Sequence, residues 1–145
     1  MSETARAIAH IRAFNRFYTD LIGLLDKHLL QSDYSLAEAR ILYEIHVGQP
    51  ISASQIMVTM HIDKSYLSRV LKKLEKDGLI RKTSSERDAR TTLLSLTSEG
   101  IAVFTTLNEA SDTQINALLS TLPAAQHQEL VQHMQAITTI LHATL

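Results

Sequence analysis

A mainly α-helical fold carrying one small β-hairpin is what this sequence predicts, on three observations. Apolar residues recur at three- and four-residue steps over most of the chain. Capping residues and glycines bracket those periodic stretches at helix-like lengths. Residues 79–96 alone break the pattern, with two short β-type runs around a charged loop. A length of 145 residues suits one domain spanning 1–145, with a single proper core.

Taken in order, Ile8, Ile11, Phe14, Phe17, Tyr18, Leu21, Ile22 and Leu25 mark one face of a long first helix, about 4–30. Ser35 and Glu38 form a capping-box pair that opens a second helix, with Ala39, Ile41, Leu42 and Ile45 on its apolar face and its end near Gly48, before Pro50. Ser52 and Gln55 repeat the capping pattern and start a short third helix carrying Ile56, Met57 and Met60, followed by a tight turn at His61-Ile62. Asp63 stands at an N-cap position and Gly78 at a left-handed stop, which brackets a fourth helix of about four turns. The hairpin follows as 79–83 and 91–96, joined by the charged segment 84–90. Thr97-Ser98-Glu99 then opens a long helix, and Pro123 marks the start of a last one, the pair covering about 98–143.

Composition excludes several classes of function. With 45% apolar and 20% charged residues the chain has ordinary globular balance, no stretch approaches the ~20 apolar residues of a membrane span, and the amino terminus lacks a secretory core, so a cytoplasmic protein without membrane contact is expected. Cysteine is absent, which removes disulfides, thiol nucleophiles and thiolate metal sites. The four glycines lie more than twenty residues apart, so no phosphate-cradling loop can form, and no nucleophile–base–orienter set stands out. An enzyme is not expected, and no cofactor is implied.

The net charge of −1 conceals an asymmetry. Residues 51–96 hold nine basic against five acidic side chains, and the remainder holds five against ten. Beyond Arg90 there is no Lys or Arg at all. A basic middle between acidic ends is the pattern of a polyanion-binding module on a chain whose other parts do something else. Within that middle, turning 100° per residue along the fourth helix places Leu67, Val70, Leu71 and Leu74 in one sector and Ser65, Ser68, Arg69, Lys72 and Lys76 opposite. Two helices joined by a short turn and followed directly by a hairpin make a winged helix-turn-helix, here occupying about 35–97. A major groove ~12 Å wide accepts one helix with a buried stripe on its protein side and short polar groups and cations on the other. Ser65, Tyr66, Ser68 and Arg69 lie near the amino end where base edges are reached, Lys72, Lys73 and Lys76 are placed for phosphates, and Lys64 is counted with them among the DNA-binding residues.

The segments Asp63-Lys64-Ser65-Tyr66-Leu67-Ser68-Arg69, Leu74-Glu75-Lys76-Asp77-Gly78-Leu79-Ile80-Arg81, Arg87-Asp88-Ala89-Arg90 and Leu96-Thr97-Ser98-Glu99-Gly100 closely resemble the MarR family of transcriptional regulators. The long flanking helices agree, so the resemblance covers essentially the whole chain. Phe14 to Tyr18 together with Ser35 to Glu44 looks more particularly like the regulator half of proteins that continue into a GNAT acetyltransferase. No acetyltransferase portion accompanies it here, and nothing catalytic is carried over. The resemblance implies a homodimer whose first and last two helices interleave, two wings straddling a pseudo-palindromic duplex operator, and repression relieved by a small-molecule effector. It implies that Arg87, at the wing tip, enters the minor groove, with Arg90 beside it. One departure stands out: the acidic residue that commonly precedes this arginine by two positions is Ser85, so Asp88 or Glu86 is expected to pair with Arg87 or Arg90 instead.

Three further readings stay open at this point. Phe14, Phe17, Tyr18, Tyr43 and His46 suit an effector cleft, although aromatic residues at helical spacing more often form plain core. Seven histidines, His10, His28, His46, His61, His127, His133 and His142, raise a metal-responsive regulator, but His127, His133 and His142 miss the three- and four-residue steps that put two imidazoles on one face. A helical protein-interaction module that binds no DNA would leave the basic helix and charged hairpin unused.

Overall fold

The computed structural model describes residues 1–29 and 32–145. Leu30, the expected end of the first helix, and the side chain of His28 lie outside the described residues. The elements in order are α1 (Glu3–Leu29), α2 (Leu36–Gly48), β1 (Ile51–Ser52), α3 (Ala53–Met60), α4 (Lys64–Lys76), β2 (Ile80–Ser84), β3 (Thr92–Leu96), α5 (Ser98–Ser120) and α6 (Ala124–His142). They form two compact units, Met1–Glu109 and Ala110–Leu145, with the boundary inside α5.

In the first unit the local signals behave as expected. Ser35 accepts from the Glu38 N–H at 3.2 Å while Glu38 accepts from the Ser35 N–H at 2.9 Å. Ser52 and Gln55 do the same at the head of α3. His61 takes a left-handed conformation, φ 53°, which ends α3 and turns the chain into α4. The core draws Ile41, Leu42 and Ile45 from α2, Ile56 from α3, four residues from α4 and Leu94 and Leu96 from β3, closed by Leu107 of α5. Its sheet has order β1-β3-β2, all antiparallel, with Ile51 opposite Leu94 and Ile80 opposite Leu96. Strand β1 is not foreshadowed by the sequence, in which Ser52 reads only as a cap. Two residues are too short a run to show any alternation.

α5 is tied to the hairpin at its first turn. Thr97 donates from its hydroxyl to the Gly78 carbonyl at 2.6 Å and accepts from the Gly100 N–H at 3.0 Å, and its own N–H donates to the Leu79 carbonyl at 3.0 Å. Gly100 is buried directly against that Leu79 carbonyl, and a Cβ there would run into rigid backbone.

The helix predicted for the amino terminus forms, but the first half of its apolar stripe is uncovered, Ile11 being 59% and Phe17 64% exposed, whereas Leu21, Ile22 and Leu25 are half-buried. In the second unit, the end of α5 and α6 are joined through Thr121–Pro123. The His127 Nε2 lies 2.6 Å from the Leu119 carbonyl and 3.1 Å from that of Leu122. Both partners can only accept, so Nε2 carries the proton and closes the end of α5. α6 buries no residue, and Val131, Met134, Ile137, Ile140 and Leu141 are all exposed. Among the described residues, no helix is long and apolar enough to cross a membrane.

Replacing Gly100 by Ala forces the α5–hairpin junction apart, because backbone rather than a flexible side chain blocks the added methyl. The expected loss is ~1–3 kcal/mol, read as a lowered urea midpoint with unchanged slope.

Candidate nucleic-acid interface

α4 is built by its two ends and its stripe. The Asp63 carboxylate accepts from the Tyr66 N–H at 3.2 Å, satisfying a donor that the first turn would otherwise leave open. Gly78 adopts φ +77°, and the Leu79 N–H then returns to the Leu74 carbonyl at 2.9 Å while the Gly78 N–H meets that of Glu75. Between these caps Leu67, Val70, Leu71 and Leu74 are buried, and Lys64, Ser65, Ser68, Arg69, Lys72 and Lys76 are exposed. Tyr66 is intermediate: its ring packs on the core edge, with the Arg69 guanidinium 5.8 Å from its centroid. That contact restrains Arg69 without neutralising it.

Lys73 is placed differently from its neighbours. Its ammonium lies 2.9 and 3.1 Å from the two Glu38 carboxylate oxygens and 3.1 Å from the Asp33 carbonyl. Tyr34 completes the cluster, its ring centroid 5.1 Å from the Lys73 ammonium and its hydroxyl donating to Asp77 at 2.9 Å. Burial, the bond to Asp77 and the surrounding carboxylates push the Tyr34 hydroxyl up to about 12. Burial also works to raise the Glu38 carboxyl, but the Ser35 N–H and the Lys73 ammonium outweigh it and hold the carboxyl below its ordinary range.

The wing projects beside α4. The Ser85 hydroxyl accepts from the Arg87 N–H at 3.2 Å, and the Asp88 carboxylate accepts from the Arg90 N–H at 3.0 Å. The Thr91 N–H meets the Asp88 carbonyl at 3.0 Å, and the Ser85 N–H meets that of Thr91 at 2.9 Å. The expected ion pair from Asp88 or Glu86 to Arg87 or Arg90 is therefore not made among the described residues. Asp88 folds back on the backbone of its own turn instead, a local competition that short acidic side chains commonly win. Both guanidinium groups stay exposed and unpaired among the described residues. Lys82, which sequence reasoning left out of the site, lies 3.7 Å from Glu75 and lines a groove of about 240 Å³ with Ser68, Lys72 and Thr92. The signal was the Gly78 turn, which sends β2 back along α4 so that a basic strand residue meets an acidic helix residue.

The other candidates separate. Phe14 and Tyr18 stack on each other along α1 at 5.6 Å, while Tyr43 and His46 meet Phe104 at 6.4 and 4.6 Å. Phe14, Phe17, Tyr18 and Tyr43 remain substantially exposed, so they are not the plain core that their spacing suggested. No three potential metal ligands come together among the described residues. His133 instead sits 3.7 Å from Glu129.

The model of the MarR family matches residues 34–92, the stretch that runs from the Tyr34 loop to the start of β3. The transcriptional regulator PetP of Rhodobacter capsulatus is 30% identical over 105 residues, 72% of this chain and 61% of that protein. The chain thus resembles the MarR family through its winged-helix core. PapX of Escherichia coli, another regulator, is 36% identical over 72 residues, half of this chain and 44% of its own length. The chain thus spans about three fifths or less of these two relatives. FabT of Streptococcus pneumoniae, crystallised in complex with DNA, superposes with a TM-score of 0.80 at 15% identity, covering 96% of this chain and 99% of FabT. At that identity the likeness establishes the MarR fold, a mainly helical winged helix-turn-helix with a small antiparallel sheet. The narrower likeness to MarR–acetyltransferase proteins finds no support among these relatives.

Within the Lys73 cluster the Glu38 carboxylate has a lowered pKa, so its pairing contributes stability above its unfolded value of 4.5 and loses it as pH falls through the lower folded value. Glu38→Gln keeps an acceptor for the Ser35 N–H and removes only the charge pair. It should lower stability by ~0.5–1 kcal/mol at pH 7. Urea midpoints of variant and parent should converge as pH falls through the lowered folded value.

Proposed function

We propose that this chain is a homodimeric, sequence-specific duplex-DNA binder that regulates transcription, acting as a repressor by occupying its operator. The observation that carries the reading is α4: its buried leucine stripe turns two serines, an arginine and three lysines outward together, beside a wing whose arginines have no partner among the described residues. In this reading Ser65, Ser68 and Arg69 read base edges in the major groove, supported by Tyr66. Lys64, Lys72 and Lys76 meet phosphates. Arg87 enters the minor groove, where a narrow, electronegative groove attracts a guanidinium, and Arg90 follows the flanking backbone. That FabT, with the same fold, was crystallised with DNA supports the assignment.

Dimerisation is inferred from apolar surface. The exposed stripe of α1 and the exposed stripe of α6 each exceed the scattered apolar residues of an ordinary surface. A second copy covering these helices would bury them and set two recognition helices on half-sites about one helical turn, ~34–36 Å, apart. A small-molecule effector has a place in the first unit, a groove of about 340 Å³ lined by Asp33, Tyr34, Ala102, Val103, Thr106 and Leu107.

Selection of bound duplexes from a random pool tests the reading and supplies the operator. On that operator Arg69→Ala should cost ~1–3 kcal/mol and relax base preference, whereas Lys72→Ala should weaken all duplexes alike and reduce the salt slope by about 0.9 for each phosphate no longer neutralised. Unchanged operator affinity in both variants would refute this placement of α4.

A further inference from the structure

We infer that Lys73, although it sits among the DNA-facing cations of α4, is a positioning residue that sets the angle of the helix and makes no contact with DNA. The inference rests on the DNA-binding reading above and assigns one of its cations a different role. An ammonium has three protons to donate, and here three acceptors take them: both oxygens of Glu38 and the Asp33 carbonyl. The Tyr34 ring covers another side. Lys72, one residue away and about 100° round the helix, has no ion-pair partner among the described residues.

The anchor that Lys73 grips is itself fixed. Glu38 is locked by the capping box at the head of α2, and the Leu36 N–H of the same turn donates to the Asp26 carboxylate of α1 at 2.9 Å. Four residues beyond Lys73, Asp77 accepts from the Tyr34 hydroxyl. Two attachments, Lys73 and Asp77, thus hold the carboxyl-terminal half of α4 to the segment that enters α2, while the base-reading residues stand at the other end. From Lys73 to Lys64 the lever is about 13 Å at 1.5 Å per residue, so a tilt of roughly 5° moves the reading end by about 1 Å. Displacement on that scale degrades bidentate base contacts while leaving flexible lysines within reach of phosphates.

The test compares Lys73→Met, Lys73→Arg and Lys72→Met in the full chain, on the selected operator and on a random duplex over a range of salt. Lys73→Met should lower the ratio of operator to random affinity by about tenfold and leave the salt slope unchanged. Lys73→Arg, which can still grip Glu38 with two donors, should restore most of that ratio. Lys72→Met should reduce the slope and leave the ratio nearly intact. A slope that falls in Lys73→Met as much as in Lys72→Met would overturn the inference, because Lys73 would then be meeting a phosphate. Preserved ratio in Lys73→Met would overturn it equally. Independently of DNA, urea midpoints of Lys73→Met, Glu38→Gln and the double variant should be non-additive, and simple additivity would show that the grip has no energetic weight. If no duplex is enriched from the random pool, or if Arg69→Ala and Lys72→Met both leave operator affinity unchanged, the DNA-binding reading of α4 itself fails, an outcome separable from a failure confined to Lys73.

Discussion

The burial of four apolar side chains along one side of α4 is the constraint on which the rest of the structure depends. Leu67, Val70, Leu71 and Leu74 can reach the core only if the helix presents its opposite side to solvent, and that side carries serines, an arginine and lysines. Fully burying such side chains stabilises by ~1.5–3 kcal/mol each, well above what exposed lysines a turn apart lose through screened repulsion. Packing therefore imposes the cationic face, and the face would disappear if the stripe were shifted by one residue.

Around that helix the fold supplies three kinds of restraint. Asp63 and Gly78 fix where it begins and ends. The Lys73–Glu38 and Tyr34–Asp77 contacts hold its far half to the entry of α2. On the other flank Lys82 of the wing approaches Glu75, and Thr97 and Gly100 lock the hairpin base to α5. Arg87 and Arg90 escape comparable restraint because the wing is held by backbone bonds from Ser85 and Asp88. A wing braced in this way keeps both charges unneutralised, which an ion pair would not.

What the sequence made legible was whatever is decided within a few residues. The caps at Ser35, Ser52 and Asp63, the left-handed Gly78 and the two faces of α4 all follow from local spacing, and all are present. What it concealed depends on residues far apart in the chain. Lys73 looks like any other lysine of its helix until Glu38, 35 positions earlier, is brought to it. Strand β1 exists only because Leu93 and Leu94 lie alongside it. Asp88 had two uses available, and the turn geometry that chose the backbone over a guanidinium is not written in residue types. The stripes of α1 and α6 were legible as apolar faces, but Ile8, Ile11, Phe14 and Phe17 of α1 and Val131, Met134, Ile137 and Leu141 of α6 stay exposed in the single chain.

Residue-resolved amide shifts during titration with a selected duplex would test the central claim most directly. The account predicts that the largest perturbations fall at 64–72 and 85–91, with the amides of α6 little changed. Perturbations concentrated in α6, with α4 and the wing silent, would contradict it.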